Sequence, residues 1–195
     1  MSVADPIERF EQLFAKAQAA GEAQYATAMT LATTDADGKP SARMVLLKGV
    51  DARGFAFYTN YESRKAAQLE ANPHAALVFY WSKLDVQIRV EGAVTRASES
   101  EADEYFASRV RQSQLGAWAS LQSQPLQNRR ELIGRYLQEK ARRLGRPVPR
   151  PPHWGGYIVN PTRVEFWESR LGRLHDRFLY TRDDAGTWQR EMLFP

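Results

Sequence analysis

The sequence contains no cysteine. Disulfides, thiolate metal sites and cysteine nucleophiles are therefore excluded, and the composition suits a reducing compartment. Histidine is scarce as well: His74, His153 and His175 are too few and too widely spaced to predict a zinc site. We accordingly predict no metal site.

Long apolar runs are also missing, since no uncharged stretch approaches the ~18 apolar residues of a membrane span. The first fourteen residues carry Asp5, Glu8, Arg9 and Glu11 and therefore lack the apolar core of a signal peptide. We expect a cytoplasmic protein that does not bind membranes.

The excess of positive charge is small, with 27 Lys and Arg against 23 Asp and Glu, a net charge of +4. This excess favours anionic ligands but is too small to predict nucleic-acid binding. Neither a GxGxxG nor a Walker sequence occurs, so no motif supports a Rossmann or P-loop fold.

The chain has ample material for a core, since its 195 residues are 43% hydrophobic and include five Trp, eight Tyr and nine Phe. This length and composition predict a single domain over residues 1–195. Asp5-Pro6 is typical of a helix start, and apolar residues at helical spacing predict an N-terminal helix over residues 1–20.

Short β-compatible segments dominate the next part of the chain, with a strong hairpin signal at Asp37-Gly38. Ser63 predicts the start of a short helix that ends near Ala71. The predicted strands cover residues 28–33, 43–48, 55–59, 75–81 and 86–95.

The second half is more helical. A capping box at Ser98 and Glu101 predicts a helix to about residue 108, followed by an irregular segment over 109–124. An amphipathic helix is predicted over 125–144, and closing strands over 155–195, among them two separate strands over 157–159 and 163–167 with a break near Pro161. The whole pattern predicts a mostly β, α+β fold: an antiparallel barrel or sandwich with flanking helices.

Cations occur at unusual places in the first half. Arg43 and Lys48 bracket four apolar residues on a predicted strand, and a bound anion would partner a half-buried cation there. Arg64 and Lys65 begin a predicted helix, where the helix dipole prefers an anion. The alternatives are an edge strand whose ends reach water and a solvated turn.

Two further segments lie in the second half. Tyr105, Arg109, Arg111 and Ser113 offer the guanidinium and hydroxyl donors that a phosphate clamp needs, or simply a helix end with favourable cations. In the segment 173–177, Arg173, His175 and Arg177 would face one ligand if the backbone is extended; the alternative is a surface salt-bridge turn. Jointly the four segments indicate more than one phosphate site. The basic stretch 129–146 is interpreted as a solvated helix face, and Trp118, Trp154 and Trp167 as core or pocket walls.

Seven motifs then occur in one order along the chain. They are Arg43-Met-Val-Leu-Leu-Lys48, Phe57-Tyr-Thr-Asn60, Ser63-Arg-Lys65, Ser113-Gln-Leu-Gly-Ala-Trp118, Trp154-Gly-Gly-Tyr157, Val164-Glu-Phe-Trp167 and Arg173-Leu-His-Asp-Arg177. From about residue 5 to residue 195, the chain resembles the pyridoxamine 5'-phosphate oxidase family, the FMN enzymes of vitamin B6 metabolism.

The resemblance implies a split β-barrel homodimer with FMN in two clefts at the subunit interface. It implies oxidation of pyridoxamine or pyridoxine 5'-phosphate to pyridoxal 5'-phosphate, by hydride transfer from the C4' carbon to flavin N5. Oxygen would be the electron acceptor and hydrogen peroxide the by-product. The partners would be small molecules and a second copy of the chain, with no nucleic acid and no membrane.

Residue roles are implied by the same resemblance. Arg173 and His175 would lie over the substrate ring as catalytic residues. The substrate-binding residues would be Lys48, Tyr105, Arg109, Ser113, Arg173 and His175. The FMN-binding residues would be Arg43, Met44, Val45, Leu46, Leu47, Lys48, Tyr58, Thr59, Arg64, Lys65, Gln87, Gln122, Ser123, Trp167 and Arg177.

Three other functions remain open from the sequence. One is a different split-barrel flavin oxidoreductase, which the intact set of substrate residues argues against. Another is a noncatalytic carrier or sensor of FMN or pyridoxal phosphate. The most distant is a nucleic-acid-binding module, which would require strongly salt-dependent binding.

Overall fold

The computed structural model describes residues 5–22 and 25–195, so the first four residues of the predicted helix over 1–20 lie outside the described part. No helix in these ranges is long and apolar enough to cross a membrane. The helices are α1 (Pro6–Ala17), α2 (Arg64–Ala71), α3 (Glu99–Ser108), α4 (Arg111–Ala119) and α5 (Arg129–Arg142). The strands are β1 (Ala28–Thr34), β2 (Pro40–Leu46), β3 (Gly49–Asp51), β4 (Gly54–Asn60), β5 (His74–Trp81), β6 (Val86–Arg96), β7 (Trp154–Glu168), β8 (Asp176–Arg182) and β9 (Trp188–Leu193).

All nine strands form one antiparallel sheet with the order β2-β1-β5-β6-β7-β4-β3, and β8 and β9 extend from β7. Just after β2, the N–H of Lys48 donates to the carbonyl of Ala56 in β4 at 2.8 Å. The two ends of the strand order therefore meet, and the sheet curves into a barrel. The predicted mostly β architecture with flanking helices is confirmed.

Aromatic side chains fill the barrel. The ring of Phe10 on α1 is fully buried, and its centroid lies 4.8 Å from Phe55, 5.0 Å from Phe79 and 5.6 Å from Trp81. Asp5 caps α1 by accepting from the N–H of Ile7 at 2.8 Å, which fixes where the helix enters the core. Burial of these rings is a major source of stability, because truncating one to alanine typically costs about 3–5 kcal/mol.

The helical half differs from the prediction in two places. The segment 109–124 is not irregular, because α4 forms there and buries Leu115 and Ala119. The predicted helix over 125–144 begins only at Arg129, where the side chain of Asn128 accepts from the N–H of Glu131 at 3.1 Å. No residue of α5 is buried, so its amphipathic pattern does not mark a core face.

The closing strands also differ, because two predicted strands merge into the fifteen-residue β7. Pro161 is accommodated at a bulge, where the register of β6 shifts between Glu91 and Gly92. A Cβ on Gly92 would lie 1.9 Å from the carbonyl oxygen of Asn160, so only glycine permits this close approach. The uninterrupted strand links two distant parts of the sheet.

Candidate active site

A cavity of about 690 Å³ opens between β2, β4 and the α3–α4 turn. Its size is within the usual range for small-molecule sites. Eleven of the predicted site residues line it: Met44, Val45, Leu46, Lys48, Tyr58, Thr59, Lys65, Tyr105, Arg109, Ser113 and Gln122.

Lys65 is a half-buried cation in this cavity. Its Nζ donates to neutral oxygens only, at 3.1 Å to Thr59 Oγ1, 3.1 Å to Ser63 Oγ and 2.9 Å to Gln122 Oε1. Burial, followed by repulsion from Arg43, lowers the pKa of Lys65 to about 8. A bound anion would reverse both effects.

Arg43 lies behind Lys65 and is likewise bonded to neutral groups. Its guanidinium donates to the carbonyl of Leu31 at 3.2 Å, to Thr33 Oγ1 at 2.6 Å and to Gln68 Oε1 at 3.0 Å. Burial, followed by repulsion from Arg64, lowers the pKa of Arg43. Arg43, Arg64 and Lys65 thus lie close together around the start of α2. The hydrogen-bond partners of Arg43 and Lys65 in the described part of the chain include no carboxylate.

The start of α2 leaves amide groups for a ligand. Ser63 is the N-cap residue as predicted, but its hydroxyl donates to the carbonyl of Asn60 at 2.7 Å and does not cap the helix. The N–H of Arg64 donates to Ser123 Oγ at 3.2 Å. Together with the neighbouring cations, this helix start suits a phosphate group.

Arg109 forms a second cationic region on the α3–α4 turn. Its Nη1 is buried and has no hydrogen-bond partner in the described part of the chain. The guanidinium lies 4.7 Å from the ring centroid of Trp154 and 5.5 Å from that of Phe106, and burial lowers the pKa of Arg109. An unpartnered buried donor on a cation is costly, so this arrangement points to an anionic ligand.

Stacked aromatic rings form a wall of the cavity. The centroid of Tyr58 lies 4.2 Å from Tyr105 and 5.5 Å from Trp154, with nearly parallel planes. Lys48 Nζ lies 5.7 Å from the centroid of Tyr105. Trp154 is the core or pocket wall that the sequence predicted. Gly155 and Gly156, which follow it, indicate that side chains pack closely against this part of β7.

Gly156 tests that close packing. A Cβ at this position would lie 2.7 Å from Tyr58 Cε1 and 2.8 Å from the Cβ of Ala97. We expect Gly156→Ala to lower the free energy of unfolding in urea by about 1–3 kcal/mol, because the ring of Tyr58 must move. Gly134→Ala in α5, where a Cβ meets nothing within 4 Å, is the control and should gain up to about 1 kcal/mol. Equal stability of the two variants would contradict the packing argument.

Four predicted residues group elsewhere. The ring centroid of His175 lies 4.4 Å from that of Trp167, and Trp167 pairs with Gln87 in β6 and with Arg177 in β8. Arg177 Nε bonds Glu165 Oε1 at 2.8 Å. This His175 group lies at the end of β7, whereas the cavity wall lies at its beginning.

The separation is large, because Trp154 and Trp167 are thirteen residues apart, roughly 40 Å of strand. Arg173 is not extended: it lies in the 3₁₀ turn Leu171–Arg173 and has a φ of 62°. The extended backbone on which Arg173, His175 and Arg177 would face one ligand is therefore not formed at Arg173, and the segment is instead the salt-bridged turn that the sequence left as the alternative.

The remaining predicted residues lie outside the cavity lining. Leu47 is buried and joins the barrel core. Arg43, Arg64 and Ser123 lie around the start of α2, behind or beside Lys65. Five further residues line the cavity without a role assigned from the sequence, namely Asn60, Val110, Gly116, Ala117 and Ser120, and Trp154 lines it as the predicted pocket wall.

Solved structures define the class of fold. PhzG from Burkholderia lata 383, in complex with tetrahydrophenazine-1-carboxylic acid, superposes with a TM-score of 0.92 at 33% identity, covering 99% of this chain and 94% of that one. A pyridoxamine 5'-phosphate oxidase-related, FMN binding protein from Nostoc punctiforme has a TM-score of 0.77 at 22% identity, with full coverage of both chains. The fold is the split barrel of these proteins, as the family resemblance implied.

Sequence relatives are more specific. The family model described as pyridoxamine 5'-phosphate oxidase matches residues 15–139, and the pyridoxine 5'-phosphate oxidase C-terminal dimerisation region matches residues 154–195. Pyridoxine/pyridoxamine 5'-phosphate oxidase from Myxococcus xanthus (strain DK1622) is 56% identical over 191 residues, which cover 98% of this chain and 92% of the relative. The enzyme of the same name from Bordetella petrii is 55% identical over 194 residues, covering 100% and 91%. The chain belongs to the pyridoxamine 5'-phosphate oxidase family.

Proposed function

We propose that this protein oxidises pyridoxamine or pyridoxine 5'-phosphate to pyridoxal 5'-phosphate, using FMN, with oxygen as acceptor and hydrogen peroxide released. The observation that carries the proposal is the pair of separate cationic regions along one aromatic cavity. Within the described part of the chain, Arg43 and Lys65 bond only to neutral groups and Arg109 Nη1 has no partner. A cofactor phosphate would satisfy one region and a substrate phosphate the other. Both the family and the named relatives support this assignment.

The start of α2 fits the FMN phosphate, because Arg43, Arg64 and Lys65 bring positive charge to a helix start whose N-cap side chain makes no capping hydrogen bond. When bound, FMN supplies the redox chemistry, accepting a hydride and passing electrons to oxygen. The other FMN-binding residues named from the resemblance are proposed in the same role.

The substrate phosphate is assigned to Arg109, together with Lys48, Tyr105 and Ser113. A guanidinium and hydroxyl groups make charge-assisted hydrogen bonds, each worth about 1.5–3 kcal/mol. The wall formed by Tyr58, Tyr105 and Trp154 offers the substrate an aromatic surface on which a flat ring would pack. Arg173 and His175 are assigned to the substrate ring, as catalytic residues.

A homodimer would bring the two groups of residues together. Met44 is opposite Thr30, Thr30 opposite Val78, and the row continues through Arg89 to Glu165, so these residues share one face of the sheet. On the same face, the side chains exposed to solvent in the single chain include Met44 (61%), Leu46 (47%) and Tyr80 (59%). We infer that a second copy covers this face and places its own His175 group at the cavity.

The single-domain organisation predicted over residues 1–195 is proposed on similar grounds. β7 pairs with β4 and β6 from the first matched segment and with β8 from the second. One sheet thus runs through both segments.

Anaerobic reduction tests the function. The FMN-loaded protein is mixed with pyridoxine 5'-phosphate without oxygen, and the flavin absorption bands are followed. We expect bleaching, with the colour returning when air is admitted. Bound flavin that stays oxidised would reject the oxidase and leave either a different substrate or a noncatalytic binder.

Lys65 gives the binding of FMN a pH dependence. With a pKa of about 8 in the ligand-free protein, Lys65 must take up a proton to hold a phosphate above that pH. We expect the Kd for FMN to rise as the pH increases from 7 to 9, and calorimetry in two buffers at pH 8.5 to show proton uptake. Lys65→Met should weaken binding by about 10–100-fold and abolish this dependence, whereas exposed Lys140→Met should change neither. A pH dependence that persists in Lys65→Met would contradict the assignment.

A further inference from the structure

The loop 169–175 carries both proposed catalytic residues and joins β7 to β8. Arg170 spans its base: Nη2 lies 3.0 Å from Glu168 Oε2, and Nε lies 2.7 Å from Asp176 Oδ2. Glu168 and Asp176 are the last cross-strand pair of the two strands. Two carboxylates directly opposite each other repel. The guanidinium between them forms an ion pair with each one and so holds the two ends of the loop together.

The backbone of Arg170 also holds the imidazole of His175. Its N–H donates to His175 Nδ1 at 3.2 Å, so Nδ1 is the acceptor and the proton of the neutral ring resides on Nε2. The other side of the ring packs on Trp167. The tautomer and the orientation of His175 are therefore both set at Arg170 and Trp167.

Glu168 is itself fixed from the far side. Its Oε1 lies 2.8 Å from Arg9 Nη2, and the Arg9 guanidinium lies over the rings of Phe166 at 4.5 Å and Phe178 at 4.7 Å. Each oxygen of Glu168 thus has its own arginine. The base of the loop is connected through Arg9 to α1 and hence to the barrel core.

We propose that Arg170 is a positioning residue: it closes the base of the catalytic loop and holds His175, with its Nε2 proton, ready for the substrate. The inference rests on the proposed function. Arg173 has a left-handed backbone, a conformation that persists only when its surroundings hold it. Because the side chain of Arg170 is 52% exposed, its ion pairs contribute little to stability, so their loss should appear in turnover.

Kinetics of Arg170→Ala test the proposal. We expect kcat to fall about 10–100-fold, with the KM and the Kd for FMN within about twofold of wild type, because the loop loses orientation rather than contacts. Arg170→Lys should recover part of the loss, since an ammonium keeps the charge without the two-sided fork. Arg142→Ala, which removes an exposed ion pair to Glu139 within α5, is the control and should leave kcat unchanged.

A double variant separates positioning from an independent effect. If Arg170 acts through His175, Arg170→Ala should cause no further loss in a His175→Ala background. Losses that multiply in the double variant would overturn the proposal, as would full activity of Arg170→Ala.

A readout without turnover separates this inference from the proposed function. Imidazole ¹⁵N shifts of the ligand-free protein should show the Nε2–H tautomer for His175 in the wild type and a mixture in Arg170→Ala. If Arg170→Ala keeps the wild-type tautomer, the role of Arg170 is overturned but the proposed function is not. A wild-type protein that shows the tautomer but does not reduce its flavin would instead remove the proposed function, and this role with it.

Discussion

Arg109→Met should raise the KM for pyridoxine 5'-phosphate by about 10–100-fold, with the Kd for FMN almost unchanged, because it removes one charge-assisted phosphate contact. Nη1 of Arg109 is buried and has no hydrogen-bond partner among the described residues, which indicates that this guanidinium binds an anionic ligand. Methionine retains apolar contact with Trp154 and Phe106, so packing is largely preserved. Steady-state kinetics and a flavin titration measure the two quantities.

The same variant has an opposite effect on the ligand-free protein. A buried cation without a partner destabilises the native state, so Arg109→Met should unfold in urea at the same or a higher midpoint. Arg111→Met is the matched control, because Arg111 donates to the carbonyls of Arg143 and Arg146 and does not line the cavity. A KM that rises equally in both variants, or in neither, would remove Arg109 from the substrate site.

Hybrid dimers provide the second large effect. At a substrate concentration near the wild-type KM, Arg109→Ala is expected to be nearly inactive because it binds the substrate weakly. Arg173→Ala is expected to be nearly inactive with FMN still bound. When the two variants are unfolded together and refolded, half of the dimers are hybrids, and each hybrid has one site with both arginines intact. Activity should return to about a quarter of wild type, because a twofold dimer builds each site from both subunits.

Different tags on the two subunits allow the hybrid dimer to be separated from the two parent dimers. The hybrid is isolated through both tags and assayed, with a hybrid of Arg173→Ala and His175→Ala as the control. Both residues of the control pair lie in the same loop. Each of its two sites therefore contains a loop with one substitution, and the control hybrid should be inactive. Activity in neither hybrid would indicate that each chain completes its own site.

Local signals predicted much of the fold correctly. Asp37-Gly38 forms the predicted turn between β1 and β2, where Gly38 has a φ of 79°. The capping box of Ser98 and Glu101 begins α3 with both of its hydrogen bonds present. These features depend on a few neighbouring residues, and a sequence pattern therefore contains all the information they need.

Features that depend on distant partners were not predicted. The polar sequence of α4 becomes a helix because Leu115 packs against Phe106, Val148 and Trp154, which come from other parts of the chain. The break expected near Pro161 is absent because Gly92 on the neighbouring strand makes room for it.

The candidate site divides in the same way. The sequence identified the cations of the cavity, such as Lys48, Lys65 and Arg109, because each occurs at an unusual place in its predicted strand or helix. Their distribution over two ends of β7 could not be predicted, because it depends on the length of one uninterrupted strand. The sequence left an extended segment and a turn open for residues 173–177, and Gly172, with a φ of 67°, is the residue that favours the turn.

The crowding of Arg43, Arg64 and Lys65 has a consequence for the lifetime of the protein. Because these like charges repel around the start of α2, FMN is a stabilising ligand of the native state, worth about 2.7 kcal/mol at a concentration a hundred times its Kd. A chain made while flavin is scarce would unfold more often and be degraded sooner by proteases. Supply of one vitamin would thereby limit the amount of an enzyme that activates another.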